Sequence, residues 1–155
     1  MCKKLVIIKN KLFFTLAVVR VNLINPGKLA DQHLVAEYDE MLMLMAYVRK
    51  HQSLEGIPEN FCLGKGHIKF FKNKLLYLKK RHEALKQEMR KRGFAARKTL
   101  DTKGIDKKLL KDWSPNPQDL QIIKKRLKQK ICLKPQWYRY YGKHRSKEFL
   151  LKLVS

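Results

Sequence analysis

The chain is short of acidic side chains. Its 155 residues contain 13 Asp and Glu against 36 Lys and Arg, a formal net charge of +23. This imbalance disfavours an ordinary metabolic enzyme, because a folded chain tolerates such self-repulsion best when its partner is a polyanion. With 45% hydrophobic residues the chain can still build a core, so the charge does not imply disorder. The length fits one domain.

Cysteine and cofactor motifs are also scarce. Cys2, Cys62 and Cys132 are odd in number and widely spaced, without a Cys-x-x-Cys motif. This argues against a disulfide scaffold and a zinc site, and it fits a reducing intracellular compartment. The sequence lacks a P-loop, a dinucleotide-binding fingerprint and any His-x-x-x-His pair. We therefore expect no metal and no cofactor.

Long hydrophobic runs are missing as well. Residues 1–19 start basic and continue apolar, but polar residues at 9–11 divide the run into pieces of four and eight residues. A transmembrane helix needs roughly 20 apolar residues, and a signal peptide needs about 7–15 plus a small-residue cleavage site. We expect neither a membrane anchor nor a signal peptide. Residues 1–18 are therefore interpreted as an N-terminal extension or a mis-called start.

The charge that is present is unevenly distributed. Residues 1–64 carry +2, whereas 65–98 and 103–152 carry +11 each. Four acidic residues fall within ten positions of the nearly neutral part: Asp31, Glu37, Asp39 and Glu40. Carboxylates repel phosphate, so this group is a candidate for chemistry. The alternative is helix capping and solvated surface charge.

Apolar periodicity predicts an all-α fold, a compact single domain of about three main helices with long loops. The predicted helices span about 30–51, 70–92 and 118–131. Asp31 is expected as N-cap or first-turn acid, Gly93 as the residue that ends the second helix, and Pro135 as the stop of the third. The tail at 143–155 has room for one short helix. No stretch alternates convincingly with a period of two.

One face of the first helix carries titratable groups. His33, Glu37 and Glu40 lie at i, i+4 and i+7 and therefore share that face. A carboxylate there could stabilise a cationic transition state or transfer protons. The alternative is that Glu37 or Glu40 pairs with a lysine from another helix, and the spacing does not decide between the two.

An aromatic segment follows the basic third helix, with the sequence Trp-Tyr-Arg-Tyr-Tyr at 137–141. Aromatic faces interleaved with cations can accept unstacked bases and follow phosphates. The alternative is that these rings belong to the core.

Eight segments, in order and with compatible spacing, resemble the pyrimidine-dimer DNA glycosylases of the phage endonuclease V type over about residues 19–143. They are Arg-Val-Asn-Leu at 20–23, Leu-Ala-Asp-Gln-His-Leu at 29–34, Ala-Glu-Tyr at 36–38, Val-Arg-Lys-His at 48–51, Leu-Gly-Lys-Gly-His at 63–67, Phe-Phe at 70–71, Lys-Arg-Gly-Phe at 91–94 and Trp-Tyr-Arg-Tyr-Tyr-Gly-Lys at 137–143. The resemblance implies a glycosylase-like domain at 19–143 and a basic, apolar tail at 144–155.

The resemblance also implies an activity. Members of the family cut the glycosidic bond of the 5′ base in a cyclobutane pyrimidine dimer and then cleave the abasic site by β-elimination. Their nucleophile is the α-amine of the mature chain, which forms a Schiff base with the deoxyribose. An α-amine titrates near ~7.7–8.0, against about 10.4 for lysine, so a useful share is neutral.

The implied partner is double-stranded DNA containing pyrimidine dimers or abasic sites. A monomer without membrane association is expected to bind it, in a bacterial cytoplasm or nucleoid or in a virus-infected cell.

By position, the resemblance implies catalytic roles for four residues. Glu40 would steady the cationic intermediates and move protons, the α-amine of Val19 would be the nucleophile, Arg20 would bind phosphate beside that amine, and His33 would help to hold the sugar. The expected DNA-binding residues are Arg20, Gln32, Arg49, Lys50, Arg97, Arg126, Lys130, Trp137, Tyr138, Arg139, Tyr140 and Tyr141.

Three positions depart from the family pattern. Asp39 and Met43 stand where the family has arginines that contact phosphates, which puts the lesion preference in doubt. Val19 stands at the nucleophile position, but an amine within a peptide bond cannot attack. One hypothesis is that translation starts at Val18, from a GTG codon, and that removal of the initiator Met frees Val19. The alternatives are a catalytically impaired DNA-binding homologue and a basic structural or RNA-binding protein.

Overall fold

The computed structural model describes residues 20–155, of which the major part is helical. Its elements are α1 (Asp31–Lys50), α2 (Gly66–Phe71), α3 (Leu75–Lys91), α4 (Pro117–Leu133), β1 (Arg139–Tyr140), β2 (Lys143–His144) and α5 (Lys147–Leu153), with 3-10 turns at Pro26–Lys28 and Lys107–Leu109. The prediction of an all-α fold with three long helices is confirmed by α1, α3 and α4. From residue 20 onward, no helix has both the length and the apolar character needed to cross a bilayer.

Local sequence signals explain where two of the long helices begin and end. At the start of α4, the Asn116 side chain accepts a hydrogen bond from the Asp119 amide at 2.9 Å, and the Asp119 carboxylate accepts one from the Asn116 amide at 3.0 Å. This capping box satisfies amides that have no partner within the helix. After α3, Gly93 takes φ +84°, and the Phe94 amide bonds to the Met89 carbonyl at 2.9 Å. Gly93 therefore ends α3, as predicted.

The predicted second helix is two helices, α2 and α3, separated at residues 72–74. Phe70 and Phe71 are both buried, and their rings pack against Trp113. The break is at Lys74, whose backbone angles of φ −124° and ψ 39° are not helical. The chain then turns at Lys74, which forms an isolated bridge with Leu110.

The prediction did not include the short hairpin of β1 and β2. Each strand has two residues, too few for an alternating pattern to show. Tyr141 and Gly142 connect the strands with φ angles of +52° and +73°. Two successive positive φ angles are typical of the tight turns that join antiparallel strands.

The core forms mainly where α1 packs against α3. From α1 come Leu34, Met41, Leu44 and Val48, all fully buried. Residues 21–24, which precede α1, are buried as well, and Val21, Leu23 and Ile24 belong to the same core. The tail helix α5 packs against α4 and contributes the buried Leu150.

Candidate active site

The carboxylate of Glu40 accepts a hydrogen bond from the backbone amide of Arg20. The Arg20 N–H donates to Glu40 Oε2 at 3.0 Å. Burial raises the pKa of Glu40 to about 7, and nearby Glu37 adds to the rise, while the Arg20 N–H and the charges of Arg126 and Arg20 oppose it. A carboxyl group that titrates near neutrality can both accept and return a proton at working pH.

Glu37, one turn earlier on the same face, is fully occupied by structural contacts. Its carboxylate forms a buried ion pair with Arg81 of α3, with an Arg81 Nη2 to Glu37 Oε2 distance of 3.1 Å. The Asn22 side chain donates to the same oxygen at 2.9 Å. Glu37 therefore pairs across helices, as the alternative interpretation supposed, but with an arginine and not a lysine. Glu40 is the carboxylate of this face left for chemistry.

Helix α4 supplies positive charge to Glu40 and His33. The positive charge of Arg126 acts on Glu40 and His33, and that of Lys130 acts on His33. Burial and the charge of Arg20 lower the pKa of the Arg126 guanidinium. Because Arg126 and Lys130 are four residues apart, they share one face of α4. The site thus combines one carboxylate with cations suited to a phosphate.

His33 is neutral at physiological pH. Burial, together with the charges of Arg126 and Lys130, lowers its pKa to about 3. Its ring lies 4.6 Å from that of the buried Tyr138, and its Nδ1 is buried without a hydrogen bond from any residue in 20–155. A neutral imidazole in this place can position a sugar by contact or hydrogen bonding, but it cannot donate a proton as a cation.

The expectations did not include His67. This buried side chain of α2 accepts a hydrogen bond from the Val21 amide at Nε2 and donates from Nδ1 to the Cys62 carbonyl, both at 2.9 Å. A Cβ on Gly66 would come within 2.6 Å of Cys62 Sγ. The absence of a side chain at Gly66 therefore lets Cys62 pack closely against the start of α2. The Gly-Lys-Gly-His sequence at 64–67 is the only hint of this arrangement, because both partners of His67 are backbone groups.

The start of α1 holds the C-terminal aromatic segment. The Gln32 side chain donates to the Trp137 carbonyl at 2.6 Å and accepts from the Arg139 amide at 2.9 Å. Asp31 accepts from the amides of Tyr141 and Gly142, at 3.1 and 2.7 Å. Gln32 and Asp31 therefore fix the segment beside His33.

Within that segment, Trp137 has the most exposed ring. Trp137 is 52% exposed, whereas Tyr138 is buried against His33. The rings of Tyr140 and Tyr141 lie 4.7 and 4.8 Å from the guanidinium carbon of Arg92. Their hydroxyls donate to the Gly27 carbonyl and to Glu88. Trp137 is thus the ring best placed to meet an unstacked base.

The remaining predicted residues are more scattered. Lys50, Arg97 and Arg139 are exposed. Arg49 donates to the Lys103 carbonyl at 2.7 Å and lies 3.5 Å from the Asp101 carboxylate, so it holds the turn at residues 103–104. Val19 lies outside the described residues.

The two substituted positions have ordinary surroundings. Asp39 is exposed and lies 3.9 Å from Lys98 Nζ. Met43 is partly buried and packs on the core. Neither supplies a cation to the site.

The described residues 20–155 contain no group of three or more His, Cys, Asp or Glu side chains able to hold a metal ion. A family model described as pyrimidine dimer DNA glycosylase matches residues 19–102, more than half of the chain. The match includes Arg20, His33, Glu40 and His67, and it ends before α4 and the aromatic segment. It indicates a DNA-repair glycosylase with a DNA substrate. The chain therefore belongs to the pyrimidine dimer DNA glycosylase family.

Proposed function

We propose that this protein cuts the glycosidic bond of the 5′ base of a cyclobutane pyrimidine dimer in ultraviolet-damaged DNA and then cleaves the abasic site, with the α-amine of Val19 as nucleophile and Glu40 as acid and base. The observation that carries the proposal is the 3.0 Å hydrogen bond from the Arg20 amide to the Glu40 carboxylate. Val19 directly precedes Arg20, whose amide binds Glu40. An amine freed at Val19 would therefore lie one residue along the chain from a contact with a carboxyl group that titrates near neutrality.

The first step replaces the base by the amine. The neutral amine attacks C1′ of the damaged nucleotide, the C1′–N1 bond breaks, and its electron pair leaves with the base, which takes up a proton from water. The nitrogen loses a proton to the Glu40 carboxylate. The C1′–O4′ bond then opens, O4′ takes that proton from Glu40, and the nitrogen lone pair forms the C=N bond of the Schiff base.

The second step breaks the strand. Glu40, ionised again, removes a proton from C2′, which the cationic imine makes acidic. The electron pair of that C–H bond forms the second C2′–C3′ bond, and the C3′–O bond breaks with its own electron pair leaving on the 3′ phosphate. Hydrolysis of the imine returns the free amine. Whenever it is ionised, the Glu40 carboxylate also stabilises the positive charge of the sugar and of the imine.

The surrounding residues hold the DNA. Arg20, Arg126 and Lys130 supply positive charge for the phosphates next to the lesion, and Trp137 supplies an exposed ring for a displaced base. We propose that the functional unit is a monomer whose domain spans 19–143, with the tail at 144–155 packed on it.

The test compares a chain that starts at Val19 with the chain that starts at Met1. We expect the Val19 chain to nick irradiated plasmid and to be trapped covalently on an abasic duplex by borohydride, since only a Schiff base gives that adduct. A Met1 chain that remains intact by mass spectrometry should give neither result. Equal trapping of the intact Met1 chain would contradict the assignment of Val19.

The position of Asp39 favours one second candidate, a binding homologue with impaired catalysis. Asp39 is exposed and adds negative charge next to the site. If the Val19 chain binds irradiated DNA tightly but neither nicks it nor is trapped, this second candidate is correct.

A further inference from the structure

His67 is a buried histidine that the proposed reaction does not use. It lies on α2, away from the face of α1 that carries Glu40, and its nitrogens contact two separate backbone segments. Since the Val21 amide donates to Nε2, Nδ1 must carry the ring proton that it donates to the Cys62 carbonyl. This fixes one neutral tautomer.

The backbone that His67 holds is strained. Leu23 has φ +55°, which is unfavourable for a residue with a side chain. Such a conformation persists when the surrounding contacts determine it. The contacts here are Glu40 at the Arg20 amide, His67 at the Val21 amide, and Arg81, which donates to the Ile24 carbonyl at 2.8 Å.

We propose that His67 is a positioning residue, which holds the Val21 amide so that the neighbouring Arg20 amide stays bonded to the Glu40 carboxylate. The inference rests on the proposed role of Glu40. His67 suits the task because it is an acceptor and a donor at once. Its ring is also kept in place by Phe61 and Phe71, at centroid distances of 5.4 and 5.2 Å.

The charges around His67 keep it able to accept. Burial, with smaller contributions from the positive charges of Arg20 and Arg126, lowers its pKa to about 4, and the hydrogen bond to the Cys62 carbonyl opposes this change. At neutral pH the ring therefore stays unprotonated at Nε2. His67 Nε2 therefore keeps its hydrogen bond from the Val21 amide at the pH at which Glu40 would act.

Loss of the hydrogen bond from the Val21 amide to His67 should change the pKa of Glu40, because the neighbouring Arg20 amide would move. The Arg20 N–H lowers the pKa of Glu40 against the effects of burial and of Glu37, and the charge of Arg126 acts in the same direction as the N–H. If the amide moves away, the pKa rises. A rise of about one unit would cut the ionised fraction at pH 7 from about a half to about a tenth, roughly a fivefold fall.

The experiment titrates Glu40 by carboxyl-carbon NMR, without DNA, in the wild type, His67→Phe and His82→Phe. His82 is a matched control, since it is a buried histidine whose ring donates to the Tyr38 carbonyl of α1. We expect the Glu40 titration to move to higher pH in His67→Phe and to stay in place in His82→Phe. His67→Gln, whose amide can accept and donate, should restore the wild-type titration in part.

A folded His67→Phe with the wild-type Glu40 titration would overturn the proposal, and so would an equal shift in His82→Phe. If His67→Phe does not fold, the comparison is made with His67→Gln. Lost exchange protection of the Val21 amide with an unchanged Glu40 titration would then overturn it. Because no DNA is present, these outcomes do not depend on borohydride trapping, which separately tests the proposed function.

Discussion

The guanidinium carbon of Arg92 lies 4.7 Å from the centre of the Tyr140 ring, and the Arg92 side chain is fully buried. The same guanidinium donates to Asp31 at 3.0 Å and to the Leu29 carbonyl at 2.7 Å. One cation at the end of α3 therefore joins the beginning of α1 to the aromatic segment. Arg92 therefore adds to the contacts of Asp31 and Gln32 that hold this segment beside the site.

Replacement of Arg92 by Ala should strongly destabilise the fold. It leaves the Asp31 carboxylate without its ion-pair partner, and breaking a buried pair costs about 3–5 kcal/mol. Urea unfolding measures the change. Lys91→Ala, at an exposed neighbouring position, is the control and should stay within about 0.5 kcal/mol. An Arg92→Ala protein as stable as this control would show that the buried pair is not needed.

Glu40→Gln should abolish most incision and leave binding intact. The amide oxygen can still accept from the Arg20 N–H, but the side chain can no longer take or return a proton, which typically costs a factor of about 10² to 10⁴. The measurements are single-turnover nicking and the Kd for an irradiated duplex. Glu59→Gln, the same substitution at an exposed position outside the site, is the control. Normal incision by Glu40→Gln would remove Glu40 from the mechanism.

The pH dependence of incision should have an acidic limb set by Glu40. Its pKa is raised to about 7, so the ionised form that accepts protons increases as the pH rises through that value. The rate should therefore rise from pH 6 to pH 8 and should rise less steeply in Glu40→Gln. Single-turnover rates at constant ionic strength test this. A flat profile in the wild type would contradict it.

Stability should fall as the pH drops from about 6.5 towards 4. The folded pKa values of His67 and His33 are about 4 and 3, below the ordinary 6.5, so the unfolded chain binds more protons in this window. For His67 alone the loss is on the order of 3 kcal/mol. Glu40 opposes this loss. Its pKa is raised from 4.5 to about 7 in the folded chain, so the folded chain binds an extra proton as the pH falls through that range. Two histidines outweigh one carboxyl group.

Urea unfolding at pH 5 and pH 7 measures this dependence. His67→Phe lacks the buried imidazole and should lose less stability between the two values than the wild type. An equally steep loss in His67→Phe would assign the effect to other groups, of which His82, also with a lowered pKa, is one.

DNA affinity should depend on Arg126 and Lys130 through charge. Replacement of either by Gln should weaken binding to damaged and undamaged duplexes alike and reduce the slope of log K against log salt by about 0.9. Arg49→Gln should change the slope less, because its guanidinium is engaged by Asp101 and the Lys103 carbonyl. An Arg49 effect as large as that of Lys130 would show that Arg49 leaves this turn to meet phosphate.

Periodicity predicted α1 to within one residue at each end, because its apolar positions recur at helical spacing. It also placed His33, Glu37 and Glu40 on one face. Which carboxylate is structural could not be predicted, because the partner Arg81 is 44 residues away in the sequence. The role of His67 was hidden for a different reason, since backbone groups carry no sequence signature.

Asp31 shows a third limit of prediction. It is the first residue of α1, as expected for a first-turn acid, but Ala30 occupies the N-cap position. The charge pattern indicated the helix end correctly. It did not indicate that the carboxylate binds Arg92 and two amides of a hairpin more than 100 residues away.

The turn at Tyr141 and Gly142 has one more consequence. Successive amides from left-handed residues form a concave receptor for an anion, of the kind that often holds phosphate in other proteins. Here the receptor is already filled from within, by the Asp31 carboxylate. A DNA phosphate therefore cannot bind these two amides while Asp31 accepts their hydrogen bonds.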